Sequence, residues 1–330
     1  MSVEMLRNPE EGSRGHEREP LGAKIAYIFP GQGAQFKGMG KDLFENSKAA
    51  RAVFREADDT LGFSLSSICF DDPNGDLVKT GIGQLALGTV AIASYEAALE
   101  KYPQLKKIKP VIGGGVSFGE LPNLVAANVL SFRTYLKLID NRGEIMEETG
   151  ANPKGAMYAV MGLERERINA ICQQTEIFPA IYYPGITVIS GESENLKKAI
   201  EVFKGQRAKV RETGVEYPFH TPLMGRAAIK LAKYLGNVEF SDPEYPILFN
   251  STGEILTSGK AIKESLPNQL TGPVDLEKGV EVMTKRGAQV FVEFCPRPIL
   301  TSHMGKINPN LNAKSIFDFQ SLQNAASLVG

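Results

Sequence analysis

Gly115-Val116-Ser117-Phe118-Gly119-Glu120 is the stretch around which this chain is organised. Val111 and Ile112 before it read as a short buried strand, and Gly113 to Gly115 supply backbone free of Cβ crowding. Beyond it, Leu121, Leu124, Val125, Val129 and Leu130 recur at helical spacing over Glu120 to Leu130. Pro122 falls near the first turn, where its missing N–H costs nothing. A strand that runs into a helix through Gly-x-Ser-x-Gly makes a tight turn. The serine hydroxyl then stands out from the backbone, beside helix N–H groups that can hold a developing oxyanion. Glycines flank the serine because side chains there would crowd the turn. The same pentapeptide also arises by chance in glycine-rich strand-to-helix loops, so the rest of the chain has to decide.

Outward from this elbow, Ala23 to Thr149 alternates short β-branched runs with amphipathic helices such as Gln84 to Tyr102, the pattern of βαβ units on a parallel sheet. From Lys154 to about His220 the pattern changes. A strand (Met157 to Met161) leads to a helix (Glu164 to Gln174), a weaker strand around Phe178 to Tyr182, and a strand from Ile186 to Ser190. A helix (Glu194 to Lys204) and a strand (Ala208 to Val215) follow. This βαββαβ order predicts a small ferredoxin-like insert. The α/β alternation then resumes through Val292. The expected fold is α/β, with a large parallel-sheet domain (residues 23–150 and 221–330) interrupted by a ferredoxin-like small domain (151–220).

Composition narrows the class. The chain has 330 residues, 42% of them hydrophobic, enough for a sizeable core. Its net charge of −1 argues against a nucleic-acid surface. Cys69, Cys172 and Cys295 form no spaced pair, so neither a disulfide framework nor a zinc site is indicated, and no metal is expected. No apolar run reads as a membrane span. Residues 1–22 mix glutamates with Arg7, Arg14 and Arg18 and lack an apolar core, which reads as a solvated tail rather than a signal peptide. The expected setting is cytoplasmic.

Further motifs accompany the elbow. Lys24 to Phe29 reads as the first strand and opens into Pro30-Gly31-Gln32-Gly33-Ala34-Gln35, then Gly38-Met39-Gly40. Asn141-Arg142-Gly143, Gly155-Ala156-Met157, Pro184-Gly185, Tyr217-Pro218-Phe219-His220, Gln269-Leu270 and Glu293 to Leu300 follow. In this combination, over Ala23 to Pro309, the chain resembles the malonyl-CoA:acyl carrier protein transacylase family, which includes the acyltransferase domains of polyketide synthases. That family shows a Gly-Gln-Gly-x-Gln loop, a Gly-His-Ser-x-Gly-Glu elbow, a downstream arginine and a late histidine.

The resemblance implies an α/β-hydrolase-like large domain with the inserted ferredoxin-like small domain and an active site in the cleft between them, and it implies roles. Ser117 would be the nucleophile and His220 the general base; of the other histidines, His16 lies in the charged tail and His303 reads as surface or helix packing. No motif nominates an acid behind His220, and the resemblance implies that the backbone carbonyl of Gln269 orients the imidazole instead. Backbone N–H groups of Gln32 and Phe118 would form the oxyanion hole. Arg142 would grip a malonyl carboxylate in a bidentate geometry that lysine cannot reproduce. Phe219 goes with malonyl in this family, where serine goes with methylmalonyl. Coenzyme A thioester would be the substrate, an acyl carrier protein the acceptor and partner, and a monomer the oligomeric state, with no cofactor. Lys106, Lys107 and Lys109, or Arg207, Lys209 and Arg211, could meet an acidic carrier.

Three places depart from the pattern. Val116 stands where the family has histidine, removing a hydrogen-bonding group near the acyl site, and Phe118 replaces a smaller aliphatic residue. Cys295-Pro296-Arg297 replaces a Gly-Pro-Gly, with Cys295 read as a packing residue. A hydrolase of the same fold that clears acyl groups from carrier proteins is therefore the alternative, which Arg142 opposes and Val116 keeps open. A non-catalytic docking protein is a third reading, opposed by the Ser117 and His220 pair.

Overall fold

The computed structural model describes residues 24–150 and 154–328, so the charged tail and His16 lie outside the described residues. In chain order the strands are β1 (Ile25–Phe29), β2 (Ile112–Gly115), β3 (Gly155–Met161), β4 (Phe178–Tyr183), β5 (Ile186–Glu192), β6 (Lys209–Glu212), β7 (Ile247–Phe249), β8 (Glu254–Leu256), β9 (Val274–Asp275), β10 (Val290–Phe294) and β11 (Asn312–Ile316). They form two sheets. One has the order β11-β10-β1-β2-β7-β8. Its strands run parallel except for the antiparallel β7–β8 edge. All five residues of β1 and all four of β2 are buried, as expected of parallel strands covered on both faces.

The second sheet has the order β6-β3-β5-β4-β9. Its first four strands are antiparallel and joined in the βαββαβ order read from the sequence. Helices Arg165–Gln174 and Ser193–Gly205 bury Ile168, Ile171, Leu196 and Phe203 against Val160 and Ile189 on one face. The fifth strand, β9, comes from much later in the chain and pairs in parallel with β4. It ties the small sheet to the segment just after Gly272.

The helix Thr80–Lys101 corrects one expectation. It is long and apolar enough to span a membrane by length and composition, yet 78% of its apolar window is buried inside the protein. It forms the central helix of the core, and helix Phe132–Gly150 crosses it closely. A Cβ on Gly143 would press on the Cα of Gly81, and one on Gly88 would collide with Tyr135. These glycines let the two helices approach until Arg142 reaches Gln84.

Helix boundaries near the elbow also differ from the sequence reading. A single 3₁₀ turn (Ser117–Gly119) precedes helix Glu120–Ala126. That helix stops short of Leu130 because Asn128 turns left-handed (φ 57°) and the N–H groups of Val129 and Leu130 both return to the Leu124 carbonyl. Helix Phe132–Gly150 is therefore a separate element, started by Ser131, whose hydroxyl accepts from the Thr134 N–H.

Candidate active site

Ser117 leaves β2 in the left-handed region, with φ 54°. Only crowding from every side holds a serine there. A Cβ at Gly115 would overlap the Gly119 backbone, and one at Gly119 would overlap the Phe29 carbonyl, so the pentapeptide needs both glycines. Gly31 packs just as tightly on the Val116 carbonyl, which seats the loop after β1 against the elbow. Both loops leave the carboxyl ends of adjacent parallel strands, where α/β sheets place their ligands.

His220 arrives from the end of the small sheet, itself left-handed at φ 62°. Its N–H donates to the Leu270 carbonyl at 2.9 Å. Next to it, the Thr221 hydroxyl donates to the Pro218 carbonyl at 2.7 Å and accepts from the Leu223 N–H. The ring meets Ser117 with Nε2 to Oγ at 2.7 Å. Its Nδ1 lies 3.0 Å from the Gly272 carbonyl. A carbonyl can only accept, so Nδ1 carries the proton and Nε2 offers its lone pair to the serine. Burial pushes the imidazole down to about 4, against the opposing pull of the Gly272 and Gln269 carbonyls.

The orienting carbonyl is thus chiefly that of Gly272 rather than Gln269, which contributes as a weaker second partner. After the 3₁₀ segment Leu266–Leu270 the chain folds back, with the N–H groups of Thr271 and Gly272 both on the Asn268 carbonyl, and this turn brings Gly272 under the ring. The side chain of Gln269 has a different place. Its Oε1 accepts from Arg142 Nη2 at 3.1 Å, and its Nε2 donates to the Ser117 carbonyl and to Glu120 Oε2, both at 2.9 Å.

Arg142 is 4% exposed and lies at the wall of the cavity that holds Ser117 and His220. Besides Gln269 it donates from Nη1 to Gln84 Oε1. Gln84 in turn donates to Gln32 Oε1 at 3.2 Å, linking the guanidinium to the loop after β1. Burial lowers the guanidinium to about 10, which leaves it cationic at neutral pH. A guanidinium has five N–H donors and two are committed to these amides. Its buried Nε has no partner. An arginine held by two neutral oxygens keeps an uncancelled charge at the cavity wall.

The cavity encloses about 210 Å³. Gln32 and Phe118, whose N–H groups the resemblance assigns to the oxyanion hole, both line it beside Ser117. Val116, Met157, Ile181, Val188 and Phe219 give it an apolar wall. Val116 also packs into the core with Ile112 and Leu248, so an apolar side chain anchored in the core stands where the family has histidine. His303 stacks on Tyr183 at 4.6 Å, which is helix packing. Cys295 is fully buried and burial drives its thiol far up, away from nucleophilic character. Three contributors escaped the sequence reading: Gln84, Glu120 and Gly272. Gln84 is a buried amide in the largely apolar helix Thr80–Lys101, and Glu120 is a carboxyl 0% exposed. A polar side chain in an apolar element was the available signal for both. Gly272 acts through its backbone and left none.

A serine hydroxyl in contact with a neutral imidazole, on an α/β elbow with an arginine across the cavity, is a site for acyl transfer or acyl hydrolysis. The chain matches the acyl transferase domain family over residues 26–315 and belongs to it. It is 36% identical to malonyl CoA-acyl carrier protein transacylase from Bacillus subtilis over 310 residues, covering 92% of this chain and 96% of that protein. It is 35% identical to the same enzyme of Haemophilus influenzae, covering 90% and 96%. Among solved structures it resembles a malonyl-transacylase in complex with a type II polyketide synthase acyl-carrier protein. That match has TM-score 0.85 and 33% identity, covering 92% of this chain and 99% of the other. The acyl-carrier-protein-S-malonyltransferase of Bartonella henselae superposes with TM-score 0.87 at 31% identity, covering 93% and 99%.

Proposed function

We propose that this protein transfers a malonyl group from coenzyme A to the phosphopantetheine thiol of an acyl carrier protein through an acyl-Ser117 ester. The observation that carries this reading is the placement of the Ser117–His220 pair and the uncancelled Arg142 charge on one small cavity. In the first half-reaction Ser117 Oγ attacks the thioester carbonyl while His220 Nε2 takes its proton. The oxyanion is held by the N–H groups of Gln32 and Phe118. Collapse breaks the carbon–sulfur bond, and the imidazolium returns its proton to the departing coenzyme A sulfur. In the second half the carrier thiol gives its proton to Nε2, attacks the ester and leaves as acyl carrier, with Ser117 reprotonated. This is a ping-pong route.

Arg142 would take the distal carboxylate of the acyl group with its remaining donors, which distinguishes malonyl from acetyl. Side chains and the thioester suffice for these steps, so no cofactor is called for, and a cytoplasmic setting and a monomer accord with the reading. An acidic carrier would approach along β6, where Arg207, Lys209 and Arg211 stand at the surface and the chain runs on to Thr213 and Val215 in the cavity wall. The Lys106–Lys109 run precedes the amino end of β2, the far end of that strand from Ser117, and is no candidate for that surface.

The test is intact-protein mass spectrometry after brief incubation with malonyl-, methylmalonyl- and acetyl-CoA in competition, followed by addition of the carrier protein. A malonyl adduct on Ser117 that passes to the carrier is expected. Free acid released from an acylated carrier, with no lasting adduct, would move the protein to the hydrolase reading.

A further inference from the structure

We propose that Glu120 is a positioning residue for acyl selection: by fixing which way the Gln269 amide points, it keeps an oxygen rather than an N–H against Arg142. The inference rests on the malonyl-transfer reading above. Gln269 is 1% exposed and every polar atom of its amide is used. One Nε2 hydrogen goes to the Ser117 carbonyl and the other to Glu120 Oε2, which leaves Oε1 for the guanidinium. Turned by half a rotation, the amide would aim N–H groups at a cation and its oxygen at two acceptors. Burial makes such a mismatch costly.

Glu120 holds the second Nε2 hydrogen and adds to the constraint that Arg142 and the Ser117 carbonyl already set. Its carboxyl is fully buried three residues after the nucleophile, and its Oε1 accepts from the Asn250 N–H at 2.7 Å. Asn250 also donates from its side chain to the Gly115 carbonyl at 3.3 Å, so the loop after β7 clamps the carboxyl to the elbow. Every partner of Glu120 is a donor, and an acceptor-only group can do nothing but draw the N–H face of Gln269 toward itself. The other arm on Arg142 ends differently. Gln84 leans on Gln32, whose Nε2 reaches the Thr80 hydroxyl at 3.5 Å, and a hydroxyl accepts or donates as required. Only the Gln269 arm terminates on a carboxyl, which burial raises to about 7 against the lowering pull of its donors.

The arrangement also places one amide between the guanidinium and the carboxyl. Glu120 does not touch Arg142, so the guanidinium keeps its free donors and its attraction for a substrate carboxylate. A carboxylate in direct contact would have neutralised it.

The experiment compares the initial rates of Ser117 acylation by malonyl-CoA and by acetyl-CoA in the whole enzyme. The variants are Glu120→Gln, Gln269→Glu and the double variant Glu120→Gln/Gln269→Glu. In Glu120→Gln the new amide keeps its oxygen on the Asn250 N–H and turns its NH₂ toward Gln269, driving that amide over. The malonyl-to-acetyl rate ratio is expected to fall about tenfold or more, chiefly through a raised KM for malonyl-CoA. Equal losses for both substrates, or an unchanged ratio, would overturn the proposal and leave Glu120 a structural group. Gln269→Glu alone sets a carboxylate against both Arg142 and Glu120, and the same fall in the ratio is expected. In the double variant the amide introduced at position 120 can donate to the carboxylate introduced at position 269. The bond between positions 120 and 269 is then restored, but the Ser117 carbonyl loses its donor and a carboxylate faces Arg142 directly. That protein is expected to fold and to load acetyl while losing its preference for malonyl. Retention of the preference would equally defeat the assignment. If the wild-type enzyme itself fails to take malonyl, it is the functional reading that falls.

Discussion

Ser117 and His220 meet at 2.7 Å from two backbones that are both left-handed, at φ 54° and 62°. Each is a conformation that non-glycine residues adopt rarely and at a cost, typically about 1–3 kcal/mol apiece. The fold holds both because the surroundings leave no alternative. Gly115 and Gly119 close the serine turn, while the Leu270 carbonyl and the Thr221 bridge fix the histidine. The chemical pair is therefore assembled before substrate arrives.

Replacing Gly119 by alanine should show how tightly that turn is closed. The new methyl would be forced onto the carbonyls of Phe29 and Pro30, backbone atoms that cannot yield. We expect a loss of roughly 3 kcal/mol or more of stability, read as a lowered denaturation midpoint. A protein of unchanged midpoint would show that the β1–elbow contact is looser than described.

The pH dependence follows from the imidazole. Burial lowers His220 from 6.5 to about 4, so the unfolded chain binds the extra proton first as pH falls. The folded state keeps this contribution above pH 6.5 and loses it progressively as pH drops toward 4, on the order of 3 kcal/mol in all. Acylation should likewise hold its base well below pH 6. Measured as kcat/KM against pH, a limb attributable to His220 near 6.5 would contradict the buried neutral imidazole.

Arg142→Ala should reduce malonyl loading roughly a hundredfold more than acetyl loading, since it removes a charge-assisted contact made only by the distal carboxylate. Arg142→Lys should recover a minor part, because a single ammonium cannot satisfy Gln84, Gln269 and a substrate together. Losses equal for both acyl groups would make the arginine a structural cation.

Phe219 is buried at 7% exposure, tilts against Tyr217 at 5.5 Å, and lines the cavity directly before His220. Phe219→Ser opens space for a branching methyl. The expected result in the competition assay is a several-fold rise in methylmalonyl-Ser117 relative to malonyl-Ser117. An unaltered ratio would place the steric selection elsewhere, with Val116 and Ile181 the next walls to test.

Much of this was readable from the chain because local chemistry announces it. Glycines at 115 and 119 declare a turn too tight for side chains, alternation of strand and helix declares a parallel sheet, and the βαββαβ run declares the second sheet. Even the weak strand at Phe178 lay where expected, as part of β4. Helix ends were less legible. The stop at Ala126 depends on Asn128 turning left-handed, which a run of apolar residues does not reveal.

By itself, then, the sequence determined the elbow and the two sheets, which rest on local periodicity and turn chemistry, while the resemblance carried by its motifs singled out His220 and Arg142. Only the tertiary structure decided what those groups lean on. The Gly272 carbonyl under His220, Gln84 beneath Arg142 and Glu120 behind Gln269 are contacts between segments 52, 58 and 149 residues apart. Partners so distant are selected by how the sheets and crossing helices pack, and no local pattern encodes that.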